Sequence, residues 1–408
     1  MGKSHFNGVL FLLISLLSFC CSWQAAHATC HDFSDIIHSG GYAVADETGR
    51  IISSCNPDTP FIPASIIKIQ TALAAFHILG RDFRFQTAFY MDGQNNLYIV
   101  GSGDPLLISE EVERLLVELR NRNVSEINSI FVDNSRFSLT EQVPGSGQSD
   151  NPFDSPVSAT GVNFNTVSIR VNEGGEVVSA EPQTPTLPIM KEMGRGLEQG
   201  VYRLNICQGK CTPDERTARY TAELFRGLQR RAGIPGNGRF GIRHVPSGTK
   251  LIYTHENSRN LDQVVASFLE YSNNYIANQV FLTCGAGKFG YPATWDKARR
   301  AVQEALEDIL GSETASMTAL YEGSGLSRRT STTAFAMIRS LAAFKPYQEL
   351  IQEKNGNRVK SGTLDGVYNY AGYLHNEKPF VILLNQEQNT RESVLQRLER
   401  LTEHDRNQ

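Results

Sequence analysis

The chain has no excess of basic charge. Lys and Arg number 39 against 43 Asp and Glu, a net charge of −4. With no basic tract and no ladder of aromatics, nothing supports a nucleic-acid-binding surface. Beyond residue 28 no run is long and apolar enough to cross a bilayer, so no transmembrane anchor is expected in the mature chain. No histidine pair sits at ligand spacing near the cysteines, which argues against a zinc site. Gly-x-Ser-x-Gly does not occur either, which removes the nucleophile elbow of a Ser-His-Asp hydrolase. No metal and no cofactor is expected, and the sequence carries no signal for oligomeric state.

What is present begins with a leader. Lys3 supplies a charged start, residues 9–19 an apolar core and Ala26-His27-Ala28 a small-residue cleavage site, so residues 1–28 read as a secretory signal peptide. A lipoprotein reading through Cys20 or Cys21 is weaker, because bulky Phe19 precedes them. The product is expected to be exported, to a periplasm or cell-wall space. Cleavage leaves Cys30, Cys55, Cys207, Cys211 and Cys284. An exported chain forms disulfides, and short separation suggests Cys30 with Cys55 and Cys207 with Cys211. Cys284 lies in an apolar helical stretch and reads as a buried thiol.

The stretch Phe61-Ile62-Pro63-Ala64-Ser65-Ile66-Ile67-Lys68 ends a turn-rich segment and opens an apolar helix to about residue 79. Pro63 is tolerated at the first turn, where its missing N–H costs nothing. Ser65 then lies at a helix N-terminus, with Lys68 three residues on and on the same face. A partly desolvated lysine one turn away is what a weakly nucleophilic serine needs as a base. Ser-x-x-Lys recurs at Ser247-Gly248-Thr249-Lys250, but there it lies in a Pro-Ser-Gly turn with no helix behind it.

The periodicities predict an α+β fold. A helix, a hairpin and the Ser65 helix lead into an insertion over residues 81–210 that mixes strands, a helix capped by Ser109 and a Gly/Pro-rich loop at 144–156. Thr212-Pro213-Asp214-Glu215 reads as a capping box, and helices follow to about residue 344. Strands near 358–363, 367–374 and 379–385 and a helix over 390–401 close the chain. The expected organisation is a catalytic domain over 29–80 and 211–408, an antiparallel sheet covered by helices with a helical block, interrupted by the smaller inserted α+β domain. The last helix carries an apolar stripe, Val394, Leu395, Leu398 and Leu401, fit to pack on that sheet.

Two further elements turn one serine into a constellation. Ser272-Asn273-Asn274 interrupts two apolar helical segments, and Lys360-Ser361-Gly362-Thr363 lies on an expected strand. Ser-x-x-Lys, Ser-x-Asn and Lys-Thr-Gly, in this order, mark penicillin-binding proteins and class A β-lactamases. Ser149-Asp150-Asn151 and Ser258-Arg259-Asn260 also fit the middle motif, but the first lies in a Gly/Pro-rich loop and the second reads as a helix cap.

With Gly101-Ser102-Gly103-Asp104-Pro105, Asn163-Phe164-Asn165-Thr166 and Glu322-Gly323-Ser324-Gly325-Leu326-Ser327, the chain resembles the class C low-molecular-mass penicillin-binding proteins. These are the D-alanyl-D-alanine carboxypeptidase/endopeptidase family of serine peptidases, with a β-lactamase/transpeptidase-like domain. The resemblance implies Ser65 as nucleophile, Lys68 as its base and Ser272 as proton relay to the leaving amine. It implies Asn274, Lys360, Ser361, Gly362 and Thr363 as substrate-binding residues, with Lys360 facing the terminal carboxylate. Backbone N–H groups of Ser65 and Thr363 would form the oxyanion hole. Asp104 and Asn165 read as structural turn residues. Peptidoglycan stem peptides would be substrates and β-lactams covalent inhibitors. Three departures stand out: Ser361 replaces the usual threonine, Glu322 the usual aspartate, and the segment after Glu181 is short for the third domain of larger members. The alternatives are a serine β-lactamase and an inactive peptidoglycan-binding homologue. Against the first, no Glu-x-x-Leu-Asn lies between the last two motifs; against the second, the reactive residues are intact.

Overall fold

A computed structural model describes residues 30–147, 149–209 and 211–404. The leader expected over 1–28 lies outside them. The two ends of the described chain meet in one antiparallel sheet. Its strands run across the sheet in the order Glu353–Lys354, Asn357–Leu364, Val367–Tyr373, Pro379–Leu384, Gly40–Ala45 and Ile51–Cys55. Gly40–Ala45 lies beside Pro379–Leu384 with Tyr42 opposite Ile382. Pro379–Leu384 is buried at every position, because both faces of the sheet are covered.

One face carries the helical block. At its centre is the helix Lys68–Leu79, whose residues from Lys68 to Phe76 are all buried; a helix apolar nearly all round belongs in a core. The helices Leu261–Glu270, Asn274–Phe289, Trp295–Leu310 and Ala334–Phe344 surround it. The other face receives the last helix, Arg391–His404. Val394, Leu395 and Leu398 of its stripe are buried there, while Leu401 stays 37% exposed.

A second core is built on a five-stranded sheet, in the order Lys250–Asn260, Arg84–Met91, Leu97–Gly101, Ile130–Asp133, Phe240–Ile242. A smaller sheet of Val177–Ser179, Thr166–Val171 and Gly200–Asn205 lies beside it. The helix Pro213–Arg231 packs into this core through Tyr220, Leu224, Phe225 and Leu228. Lys250–Asn260 pairs with Arg84–Met91. The chain therefore rejoins the first core at Leu261, about fifty residues beyond the boundary expected at 211. The reason is that a capping signal fixes where a helix starts but not which core takes its apolar face. Thr212 is the N-cap and Pro213 opens the helix, yet the Thr212 side chain makes no capping bond. Ser109 likewise lies inside its helix, and its N–H is taken by the Asn163 side chain.

Both expected disulfides form, Cys30–Cys55 and Cys207–Cys211. The first joins the N-terminal turn to the edge strand of the main sheet. Cys284 is a buried free thiol, pushed up to about 12 by its apolar surroundings.

Candidate active site

Ser65 sits in the 3-10 turn Ala64–Ile67, which runs straight into the helix beginning at Lys68. Ala64 is held at φ +48°, in the left-handed region. Such a backbone costs an L-residue roughly 1–2 kcal/mol and persists only where its surroundings fix it. Here the loop over residues 322–327 does so: a Cβ on Gly325 would lie 2.0 Å from the Ala64 carbonyl oxygen, so only glycine allows this approach.

The Lys68 ammonium nitrogen is fully buried and has three neighbours at 2.8 Å: Ser65 Oγ, Asn274 Oδ1 and the Ser324 carbonyl oxygen. Burial pushes the amine well below the usual lysine range; the Lys360 charge adds to this and Glu322 opposes it. The geometry suits a neutral amine. Two N–H groups go to fixed acceptors, Asn274 Oδ1 and Ser324 O, which turns the lone pair toward the one partner that carries a proton, Ser65.

Ser272 and Asn274 come from the break between Leu261–Glu270 and Asn274–Phe289. Ser272 also has positive φ, +53°, and Asn273 caps the second helix by accepting from the Ile276 N–H. That kink turns Ser272 and Asn274 into one cleft. The Asn274 amide is held at both ends, with Oδ1 on Lys68 and Nδ2 donating to the Phe153 carbonyl at 3.3 Å.

The third wall is the strand Asn357–Leu364. Lys360 is 3% exposed, and its Nζ donates to Ser272 Oγ at 2.9 Å and to the Ser361 carbonyl at 2.8 Å. Burial, with the nearby Arg391 charge, brings its pKa down to about 8. Gly362 is required by contact: a Cβ there would lie 2.6 Å from the Pro63 carbonyl oxygen and 3.1 Å from the Ser65 nitrogen. This strand therefore lies directly on the turn that carries Ser65. Alternation puts Lys360 and Gly362 on one face and Ser361 and Thr363 on the other; Thr363 Oγ1 accepts from Arg391 at 2.7 Å.

Ser65, Lys68, Ser272, Asn274 and Lys360 are thus joined by hydrogen bonds, and Gly362 touches the Ser65 turn. The decoys fall elsewhere. Ser149 Oγ donates to Asp154, Ser258 Oγ to Glu111, and Asn260 caps a helix through a capping box with Gln263. Asp104 is buried beneath Asn257, whose amide donates to both carboxyl oxygens; burial pushes the acid up to about 6. Asn165 donates to the Pro156 carbonyl. Both serve the architecture of the inserted region.

Three participants were not expected. The Ser324 carbonyl holds Lys68, the Phe153 carbonyl holds Asn274, and Arg391 reaches the Lys360 strand from the last helix. The first is set by Glu322, whose buried carboxylate accepts from Ser324 N at 2.7 Å and from Ser324 Oγ at 2.5 Å. Glu322-Gly323-Ser324 was visible as a motif, but a backbone carbonyl has no letter of its own in a sequence.

The model of the D-Ala-D-Ala carboxypeptidase 3 (S13) family matches residues 30–194 and 213–354. The chain belongs to this family. Among its relatives, a D-alanyl-D-alanine carboxypeptidase from an Actinomadura strain is 26% identical over 343 residues, 74% of this chain and 63% of that protein. The D-alanyl-D-alanine carboxypeptidase DacB of Haemophilus influenzae is 24% identical over 393 residues, 81% of this chain and 80% of its own length. The crystal structure of penicillin binding protein 4 from Haemophilus influenzae superimposes with a TM-score of 0.68 at 23% identity, over 88% of this chain and 93% of that one. A predatory peptidoglycan endopeptidase of Bdellovibrio bacteriovorus gives 0.50 at 15% identity, over 88% and 87%. These two establish the transpeptidase-like α+β fold. Among the described residues no helix is long and apolar enough to cross a membrane.

Proposed function

We propose that the chain is an exported serine D,D-peptidase. It hydrolyses D-Ala-D-Ala termini, D-Ala-diamino-acid crosslinks, or both, in peptidoglycan stem peptides, and β-lactams acylate it. The observation that carries this reading is the Lys68 nitrogen, fixed by Asn274 and Ser324 with its remaining direction on Ser65 Oγ. Family membership and relatives named as D-alanyl-D-alanine carboxypeptidases support the choice of substrate.

The geometry supports the following steps. Lys68 takes the Ser65 proton as Oγ attacks the penultimate D-Ala carbonyl carbon. The oxyanion meets the N–H groups of Ser65 and Thr363. The C–N bond breaks as the leaving amine receives a proton from the Ser272 hydroxyl, which the proton taken up by Lys68 replaces, so that Lys68 is again a neutral base and Lys360 stays charged. Water then attacks the acyl-enzyme and gives its proton back through Lys68, freeing Ser65. Lys360, Ser361 and Thr363 hold the substrate's terminal carboxylate, and Asn274 its amide.

Penicillin labelling tests the chemistry. A fluorescent penicillin is expected to label the wild type on the peptide containing Ser65 and to leave Ser65→Ala unlabelled; labelling of the alanine variant would overturn the assignment. Mass spectrometry of digested muropeptides identifies the reaction. Loss of one alanine from a pentapeptide reports carboxypeptidase action, and conversion of a crosslinked dimer to monomers reports endopeptidase action.

A further inference from the structure

Arg391 has no place in the three motifs, yet it is built against one of them. It opens the last helix, Arg391–His404, on the face of the main sheet opposite Ser65. Its guanidinium donates to Thr363 Oγ1 at 2.7 Å and to the Gly362 carbonyl at 3.4 Å, and its carbon lies 4.6 Å from the centre of the Tyr370 ring. Tyr370 pairs with Ser361 across the two strands, and its hydroxyl donates to Glu392 at 3.2 Å. The ring and the strand thus fix where this planar cation can lie.

The consequence falls on Thr363. A threonine hydroxyl has one hydrogen to give and two lone pairs to accept with, whereas guanidinium only donates. Arg391 therefore occupies a lone pair, and the Thr363 hydrogen is left over. Among the described residues no acceptor takes it, and Thr363, on the strand that borders the cleft, is exposed.

We propose that Arg391 is a positioning residue, one that holds the Thr363 oxygen so that its hydrogen is offered to the substrate's terminal carboxylate, and so favours substrates whose carboxylate is free. This rests on the D,D-peptidase reading. Lys360 approaches that anion from one face of the strand; Thr363, with the Arg391 charge behind it, approaches from the other. The same arrangement receives the carboxylate of a penicillin.

The test is a double-mutant cycle on the full mature chain. Acylation by benzylpenicillin and kcat/KM on an acyl-D-Ala-D-Ala peptide are measured for wild type, Arg391→Gln, Thr363→Val and the double variant. Each single change is expected to lower both rates by about tenfold or more, the worth of a charge-assisted contact. The double variant should match Thr363→Val alone, because Arg391 acts through that hydroxyl. On the same peptide with its terminal carboxylate amidated, the loss from Arg391→Gln should shrink to less than about twofold. Arg391→Lys keeps the charge without the fork, should recover part of the rate, and covers the case in which glutamine disturbs the fold. Additive losses, or an equal loss on the amidated peptide, overturn the proposal while leaving the peptidase reading intact. If wild type is not acylated at Ser65, that reading falls and the proposal with it.

Discussion

Two buried lysines 292 positions apart in sequence are proposed for opposite jobs, and their surroundings differ accordingly. Lys68 must be neutral to accept a proton, and burial with a second cation nearby drives it that way. Lys360 must be charged to attract a carboxylate, yet its pKa is already down to about 8. The signs follow. Lowering pH protonates Lys68 and removes the base, so the rate falls on the acid side. Raising pH through about 8 strips the proton from Lys360, so kcat/KM on a D-Ala-D-Ala peptide should fall through that range. Lys360→Gln should cut kcat/KM by roughly ten- to two-hundredfold, from a charge-assisted contact of roughly 1.5–3 kcal/mol, and should abolish the alkaline limb. A limb that persists unchanged in Lys360→Gln would assign it to another group. These residues were legible in the sequence because their spacing is local: Ser65 and Lys68 share a helix face, and Ser272 and Lys360 lie in short motifs. Some of their hydrogen-bond partners were not. Ser324 and Phe153 act through carbonyls, and Arg391 reaches the Lys360 strand by its side chain from the last helix, a contact between distant elements that no motif records.

At the scale of elements, the cleft depends on how closely a strand lies on a turn. Gly362 is the contact point, and any Cβ there would fall 2.6 Å from the Pro63 carbonyl. Ordinary contact needs a retreat of roughly 1 Å, and a misplacement of that size costs on the order of a hundredfold in rate. Gly362→Ala should therefore lower penicillin acylation of Ser65 by about a hundredfold while the purified protein keeps its circular dichroism. Acylation at the wild-type rate would mean that the strand yields without moving the Lys360 ammonium. Element identity was mostly readable: the three closing strands, the Ser65 helix and the last helix all stand near their expected ranges. Lys250–Asn260 was missed. Its Lys-Leu-Ile-Tyr-Thr-His-Glu-Asn-Ser-Arg-Asn sequence has few apolar residues to set a period of two, and its pairing with Arg84–Met91 supplies the order that the local sequence does not.

Across the whole molecule, the reactive groups are unevenly divided. Ser65, Lys68, Ser272, Asn274, Lys360 and Arg391 all belong to the first core and its sheet. The inserted region reaches these groups through the Phe153 carbonyl on Asn274, and its Ser158 carbonyl accepts from Gln279 Nε2 at 2.9 Å on the same helix. The chain crosses between the cores near residues 80–84 and 260–262, where Leu261 N donates to the Phe83 carbonyl and Arg81 pairs with Asp262. Distinct apolar cores tend to unfold as separate units. A ligand bonded to the first core alone stabilises that core, since it holds the folded form and has no counterpart contacts once the cleft is lost. Calorimetry of the free and penicilloylated protein should therefore show two transitions, of which acylation raises one by roughly 5 °C, the shift expected from one or two charge-assisted contacts in a domain of this size. The other should stay in place, and proteolysis between the transitions should cut first in the core with the lower one. A single transition that moves as a whole would mean that the helix Asn274–Phe289, which touches both cores, couples them into one cooperative unit.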